Sequence, residues 1–516
     1  MSKLLLVVPN YSDEEVNNYS KKNLTVPYGV LSLASYVEYY CPDVKCEILD
    51  LNAFENSKAQ NNALTNKILE FRPKFVGISA MFNSYFDQIA PLCEVIKKDS
   101  PNIIILVGGV LATNLAKEIF DTTDLIDAIC HGEGEIPLRD LFLTDDIEKT
   151  FKLHPSWLTK KDLHEGKKVS ASLVQNLDDI PILQYSKLDL NMYTGRINDG
   201  TNTKSLPIHS TRGCPYNCIF CSAGTNHGKK IRQMSPERFL SDVKEMIEKY
   251  DIKELSIDDD QFLFYKDRAI KILKGLAEFN ISIEMASGIS IKFIDDEIAN
   301  LLKEAGLKTA VIAVESGSQR VLEDIIKKPL NISQIEPVVK SLRKAGLFVH
   351  APFIIGLPGE TQEDRDLSRK LILEIGFDWN FIFIAMPLKG SRLYDICIEN
   401  NYISPSDLKN LSAYKCIIKA PNINPEEITE QAYLLNLDVN FVNNYNYLNN
   451  KYDIALEYFL KIATKYPNHA FAHYYTSKCY KNLGNEKKSY FYLKEFETII
   501  KADENWKNRA IRFNLV

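Results

Sequence analysis

The period of the apolar positions changes along the chain. From the N-terminus to about residue 145, short apolar runs alternate with segments whose apolar residues recur at helical spacing. Leu4–Val8, Lys45–Leu49, Phe75–Ser79, Ile103–Val107 and Ala128–Ile129 read as strands. Tyr28–Tyr39, Ala63–Phe71, Gln88–Lys98 and Leu115–Ile119 read as helices. Such alternation predicts an α/β domain with a parallel sheet covered on both faces, whose ligands bind at the carboxyl ends of the strands. Residues 146–204 are charged and polar with little periodicity, as in Thr159-Lys160-Lys161-Asp162, and read as a linker.

The alternation resumes over residues 205–400, with a following segment to 424. Strands are predicted at Leu206–Ser210, Glu254–Ile257, Ser282–Met285, Thr309–Val314, Phe348–Ile355 and Phe381–Ala385. Helices are predicted at Pro236–Lys249, Asp267–Glu278, Asp295–Glu304, Gln319–Ile325, Ile332–Lys344 and Gln362–Glu374. Six strand–helix units predict a partial (β/α)6 barrel with its site at the strands' carboxyl ends. Over residues 425–516 the strand pattern stops. Asn450-Lys451-Tyr452-Asp453-Ile454-Ala455 recurs as Gly484-Asn485-Glu486-Lys487-Lys488-Ser489, an offset of 34 that belongs to tetratricopeptide-like helix pairs. With fewer than three clear repeats, this tail is expected to lean on the barrel. A peptide-binding groove and a structural helix pair are both open readings of it. His469 and His473 lie one helical turn apart and read as structural, since no third metal ligand is near.

Composition narrows the class. Hydrophobic residues make up 45% and charged residues 25% of the 516, an ordinary globular balance. The net charge of −6 and the lack of a long basic run do not point to nucleic acid or an anionic membrane as partner. No apolar run approaches the roughly 20 residues of a membrane span. The opening run Leu4–Val8 breaks at Pro9-Asn10, too soon for a signal peptide, so a buried strand is expected there. Ten cysteines in a chain of this length do not make a secreted disulfide framework, and a reducing cytoplasm is expected.

Three of those cysteines stand together in Thr211-Arg212-Gly213-Cys214-Pro215-Tyr216-Asn217-Cys218-Ile219-Phe220-Cys221. Closely spaced thiolates suit a soft site, either zinc or an iron–sulfur cluster. Both usually take four protein ligands, and no fourth Cys or His follows closely: His227 is the nearest and Cys397 the next cysteine. A zinc knuckle with a distant fourth ligand and a cluster with one open iron are the two readings of the spacing.

The stretch, with Phe220 just before its last cysteine, resembles the cluster motif of the radical S-adenosylmethionine (SAM) enzymes. The resemblance implies that Cys214, Cys218 and Cys221 hold a [4Fe-4S] cluster whose fourth iron is chelated by SAM, and that one electron cleaves SAM to methionine and a 5′-deoxyadenosyl radical. It further implies SAM contacts at Phe220, at Asp260 in Asp258-Asp259-Asp260, at Glu315, Ser316, Gly317 and Arg320 after the fourth strand, at Gly356 in Gly356-Leu357-Pro358-Gly359-Glu360, and at Met386. Each has a plain counterpart: a solvated acidic turn, turn glycines, a helix charge, a core methionine. No catalytic residue beyond these is assigned.

The first domain resembles the cobalamin-binding Rossmann-like domain that precedes many radical SAM domains. The pieces are Val26-Pro27-Tyr28-Gly29, Val76-Gly77-Ile78-Ser79, Val107-Gly108-Gly109 and Gly132-Glu133-Gly134-Glu135. The resemblance implies cobalamin contacts at Pro27, Tyr28, Ser79, Gly108, Gly109, Gly132, Glu133 and Gly134. The Asp-x-His-x-x-Gly motif that gives cobalt a lower histidine elsewhere is absent, so base-off cobalamin with no protein histidine is expected. A second N-terminal cysteine triad, the mark of methylthiotransferases, is absent as well. Together the resemblances imply a cobalamin-dependent radical SAM methyltransferase that acts on an unactivated carbon of a small molecule or peptide. An electron donor such as flavodoxin or ferredoxin would serve it. A rearrangement without methyl transfer, and a non-catalytic SAM or cobalamin sensor, are the alternatives.

Overall fold

The computed structural model describes residues 2–10, 24–81, 85–193, 205–404, 407–408 and 411–516. The chain forms two compact units, Met1–Ser287 with Glu304–Leu307 and Pro387–Leu411, and Gly288–Lys303 with Lys308–Met386 and Ser412–Val516.

The first unit begins with a six-stranded sheet made of β1 (Ser2–Val8), β2 (Val44–Asp50), β3 (Phe75–Ser79), β4 (Ile104–Gly108), β5 (Ala128–Cys130) and β6 (Trp157–Leu158), in the order β2-β1-β3-β4-β5-β6. All neighbours are parallel except β5 and β6. The continuous apolar run of β1 is what a strand buried on both faces requires. Leu5 and Val7 enter one core, and Leu4, Leu6 and Val8 the other. The helix predicted at Ala63–Phe71 starts earlier and spans Ser57–Phe71, because the Asn56 side chain caps it by accepting from the Ala59 N–H at 3.0 Å. The stretch read as a linker is partly ordered into this domain. It supplies helix Ile147–Leu153, β6, and helix Lys160–His164 with its Thr159/Asp162 capping box.

The same unit continues with β7 (Ser205–Ile208), β8 (Thr211–Arg212), β9 (Arg232–Gln233), β10 (Glu254–Ile257) and β11 (Ser282–Glu284). Strands β11-β10-β7 form a parallel sheet, and β8 pairs antiparallel with β9.

In the second unit β12 (Thr309–Val311), β13 (Phe348–Ile355) and β14 (Trp379–Ile384) form a parallel sheet in that order. The six expected strands therefore pair as two three-stranded sheets. The short helix expected at Gln319–Ile325 is a π-helical turn at Val321–Ile326. The tail folds into helices Pro425–Leu437, Tyr445–Leu448, Tyr452–Lys465, Ala470–Asn482, Glu486–Ala502 and Glu504–Arg512. Buried polar side chains fasten it to the sheet. The Asn380 N–H donates to Asn440 Oδ1 at 2.9 Å, and Asn440 Nδ2 donates to the Asn380 carbonyl at 2.8 Å. Asp378 bridges Asn446 Nδ2 at 2.9 Å and the Val349 N–H at 2.7 Å. His469 caps its helix by accepting from the Ala472 N–H, and His473 bonds the Pro467 carbonyl.

Candidate functional site

In the first unit the cysteine loop leaves β7 through β8 and is pinned by carboxylates that follow β10. The Ser210 N–H and hydroxyl both donate to Asp259, and the Thr211 N–H donates to the same carboxylate at 3.0 Å. The Gly213 N–H donates to Asp260 Oδ2 at 2.7 Å. Gly213 has φ of +98°, and a Cβ there would meet the Lys230 carbonyl oxygen at 2.4 Å, so only glycine lets the loop turn at this point. Burial pushes the Asp259 carboxyl up to about 6, against the Arg268 guanidinium and the three donors. Of the three aspartates, Asp258 and Asp259 are buried and Asp260 is half-buried. Asp260, expected at the SAM ammonium, thus spends one oxygen on the loop backbone.

The loop then presents its thiols outward. Cys214 and Cys218 are half-buried and Cys221 is exposed, with Phe220 half-buried beside them. Gln261 Nε2 donates to Cys214 Sγ, and the Ala223 N–H to Cys221 Sγ, each at 3.4 Å. Amide donors onto sulfur stabilise thiolates, and three cysteines within eight residues are a donor set that fits an iron–sulfur cluster with an open position.

The carboxyl edge of the first sheet lies in the same unit. Ser79, Gly108 and Gly109 end β3 and β4, and the Ala80 N–H donates to the Gly108 carbonyl at 2.7 Å. Gly109 has φ of +109°, and a Cβ there would sit 2.6 Å from the Ala80 carbonyl oxygen. A Cβ on Gly29, at the start of helix Tyr28–Tyr40, would meet nothing within 4 Å, and one on Gly108 only Cys130 at 3.6 Å. The room over Gly108 at its strand end and over Gly29 at its helix start fits a bulky ligand such as a corrin, and Gly109 itself is required by backbone approach. Pro27 precedes that helix, its carbonyl accepting from the Leu31 N–H at 3.0 Å. Tyr28 packs its ring 4.2 Å from that of His209 and accepts from the His209 N–H at 3.3 Å; burial pushes its phenol up to about 12. His131, at the end of β5, is half-buried and bonded to the Thr113 backbone.

Glu133, an expected cobalamin contact, is buried within the protein. Its carboxylate is 4% exposed and wholly engaged by protein. Arg232 donates to both oxygens at 2.5 and 2.9 Å, His227 Nδ1 lies 2.8 Å away and Arg212 3.3 Å away. Burial alone would raise its pKa, but Arg212, Arg232 and His227 hold it well below the carboxylate range. Arg212 also donates to Glu135 at 2.9 Å, which in turn accepts from the Ser32 hydroxyl at 2.9 Å. Gly132 and Gly134 flank Glu133; the first has φ of +77° and lies under Ala171, and the second caps helix Glu135–Phe142 beside Leu33. The result is a buried ionic lock between the Gly132–Glu135 turn and both ends of the cysteine loop. Sequence reasoning missed it, because the partners lie about a hundred positions apart; the paired acids of the turn and the arginine next to Gly213 were the only signals.

In the second unit, Glu315 follows β12 with φ of +73°, a left-handed conformation unusual for a residue with a side chain. It is held by backbone bonds to Pro352 and Ile354, both 2.8 Å, and Lys328 Nζ lies 3.3 Å from its carboxylate. Ser316 is buried and accepts from the Ser318 N–H at 3.2 Å. A Cβ on Gly317 would strike the Ser368 Cα at 2.5 Å, so Gly317 serves close packing on helix Gln362–Ile375. Arg320 pairs with Asp364 and with the Gly359 carbonyl. Gly356 has φ of +81°, and its N–H donates to Glu360 Oε2 at 2.6 Å. Glu360 is fully buried, and burial raises its carboxyl to about 7. Met386 is half-buried just past β14. The structure thus gathers Glu315, Ser316, Gly317, Arg320 and Gly356 at the carboxyl ends of β12 and β13, with Arg320 committed to Asp364.

Comparison with known proteins agrees with this layout. Residues 208–372 match the model of the radical SAM superfamily, and residues 18–142 that of the B12 binding domain. An uncharacterized methyltransferase of Pyrococcus horikoshii is 29% identical over 367 residues, 70% of this chain and 78% of that protein. The cytidylyl-2-hydroxyethylphosphonate methyltransferase of Streptomyces wedmorensis is 28% identical over 487 residues, 85% of this chain and 90% of that protein. Among solved structures, the cobalamin-dependent SAM radical enzyme OxsB superposes with a TM-score of 0.69 at 15% identity, covering 99% of this chain and 83% of that one. The radical SAM methyltransferase TsrM of Kitasatospora setae gives 0.61 at 15% identity, covering 78% and 77%.

Proposed function

We propose, on the premise that this chain is a radical SAM enzyme with a B12-binding domain, that it is a cobalamin-dependent methyltransferase acting on an unactivated carbon. When bound, the [4Fe-4S] cluster, SAM and cobalamin supply the reductive cleavage of SAM, the hydrogen-abstracting 5′-deoxyadenosyl radical and the methyl group. The protein's part is to hold and orient. Cys214, Cys218 and Cys221 would ligate the cluster, on a loop whose entry Asp259 and Asp260 fix. Ser79, Gly108, Gly109 and the helix start at Pro27 and Tyr28 would border the corrin. Glu315, Ser316, Gly356 and Met386, with Phe220 and Asp260, would contact SAM. Arg320 is the weakest SAM candidate, since Asp364 already neutralises it.

The observation that carries this reading is the ionic lock centred on Glu133. It ties the turn at the edge of the B12-type sheet to the loop that bears the three thiols. Two cofactor sites that must cooperate need a fixed separation, and buried charge pairs with several partners hold register more strictly than apolar packing does. Methyltransferase chemistry is favoured over rearrangement by the two sequence relatives, both named as methyltransferases.

Several finer points belong to the same reading. The six strand–helix units are of the partial (β/α)6 barrel kind, and the tail is tetratricopeptide-like. No protein histidine binds cobalt, in keeping with the missing Asp-x-His-x-x-Gly motif. The enzyme works in a reducing cytoplasm with a flavodoxin or ferredoxin donor. Among the described residues no helix is long and apolar enough to cross a membrane.

The test is product analysis after anaerobic reconstitution with SAM, cobalamin and reductant. Both 5′-deoxyadenosine and S-adenosylhomocysteine should form. Deoxyadenosine without S-adenosylhomocysteine points to rearrangement, and neither product points to a sensor.

A further inference from the structure

We propose that the partly exposed end of one face of the β12–β13–β14 sheet binds a flat, conjugated ring system of the substrate, stacked along Phe381, Phe383 and Tyr414. The proposal rests on the radical SAM reading above for its chemistry, and on the second unit alone for its geometry.

The alternation along two strands defines the face. Val349, Ala351 and Phe353 of β13 and Asn380, Ile382 and Ile384 of β14 are buried. The intervening Phe348, His350 and Pro352, and Trp379, Phe381 and Phe383, are only partly buried. Register places His350 beside Trp379 and Pro352 beside Phe381, so the partly buried set shares one side. Parallel sheets are normally covered on both faces by apolar packing. An apolar row that keeps access to solvent is what lines a binding concavity, above all when a few polar groups converge on it.

The rings form a continuous ladder. Tyr458 from the tail stacks on Trp379 at 5.4 Å and 10°, closing the end nearest the strand starts. His350 meets Phe381 edge-on at 5.7 Å, Phe381 lies parallel to Phe383 at 6.0 Å and 5°, and Phe383 meets Tyr414 at 6.2 Å. Tyr414 is 68% exposed, so the ladder opens outward there. His350 Nε2 bonds the Tyr458 hydroxyl at 2.8 Å, which fixes both rings at the closed end of the row. Burial lowers the His350 pKa to about 4, so the ring is neutral near pH 7 and puts no charge on the face.

Aliphatic chains would be served as well by leucine and isoleucine. Parallel and edge-on aromatic faces favour a partner that has a π face of its own. The order of the ladder also leads along β14 toward Met386, the residue assigned above to SAM.

The experiment uses the full-length enzyme, reconstituted anaerobically, and equilibrium dialysis with 2-naphthoate, its saturated counterpart decahydro-2-naphthoate, and decanoate. The proposal expects naphthoate to bind at least about tenfold tighter than either saturated acid, from two stacking contacts of ordinary strength. Phe381→Leu and Phe383→Leu, with iron per chain and melting temperature recorded to establish folding, should each remove most of that preference. Tyr490→Leu, an exposed aromatic elsewhere on the tail, should leave it. Equal binding of the three acids, tighter decanoate, or a preference untouched by both leucine variants overturns the proposal. Deoxyadenosine formation by the wild-type enzyme, without probe, tests the radical SAM reading separately: cleavage without a naphthoate preference sinks only the ring site, and a preference without cleavage sinks only the parent reading.

Discussion

The Gly213 N–H donates to the Asp260 carboxylate at 2.7 Å, one position before the first of the three clustered cysteines. The neighbouring Asp259 gathers two backbone N–H groups and a hydroxyl from Ser210 and Thr211. The loop that presents the thiols is therefore positioned by carboxylates from the adjacent strand, before any metal adds its own bonds.

Asp259→Ala should leave buried donors of Ser210 and Thr211 unmatched, at a cost on the order of 3 kcal/mol. Iron per chain after reconstitution should fall several-fold. The carboxyl titrates near 6 in the fold and near 3.9 when unfolded. The folded state thus holds the extra proton between about pH 4 and 6, and Asp259 makes stability fall as pH rises through that window. Denaturation of wild type and Asp259→Asn at several pH values checks this; the variant should lack that contribution.

Glu133→Gln leaves Arg212 and Arg232 buried without their shared anion. Breaking a buried pair in this way typically costs about 3–5 kcal/mol. Because the carboxylate is held far below its unfolded pKa, its contribution is complete at neutral pH and is lost only as pH falls well under 4. Chemical denaturation at pH 7 measures the cost, and acid titration of the wild type shows the late loss.

Gly109→Ala meets both a φ of +109° and the Ala80 carbonyl oxygen at 2.6 Å. A strained position of this kind costs about 1–3 kcal/mol. The strain falls on the β3–β4 strand ends, so retained cobalt should drop more than retained iron, read by metal analysis of the desalted protein.

Glu360 is another carboxyl raised by burial, to about 7. Its folded form keeps a proton from about pH 4.3 upward that the unfolded chain releases. Its contribution therefore makes stability fall as pH rises toward 7 and level off above it. In Glu360→Gln that slope should be absent, a difference visible in melting temperatures recorded from pH 5 to 8.

The sheet strands were legible because buried parallel strands are apolar without interruption, as Leu4–Val8 and Phe75–Ser79 are. The thiol loop was legible because its ligands are neighbours in sequence. The roles of Glu133, Asp259 and Asp260 were not, since each depends on partners 47 to 99 positions away. Gly317 and Gly213 were visible as glycines, but what they avoid is set by Ser368 and Lys230. Arg320 read as a SAM contact or a helix charge because its partner Asp364 lies 44 positions on, in helix Gln362–Ile375. The aromatic ladder was not legible because it depends on the register of β13 with β14 and on Tyr414 and Tyr458 from distant parts of the chain.

The most direct measurement is cobalt and iron per chain after anaerobic purification, reconstitution with iron, sulfide and cobalamin, and desalting, with the Co(II) EPR spectrum recorded on the same sample. The account predicts one cobalt and four irons per chain, with no nitrogen splitting from a protein imidazole. Iron without retained cobalt would contradict the role given to the first domain and, with it, methyl transfer through cobalamin.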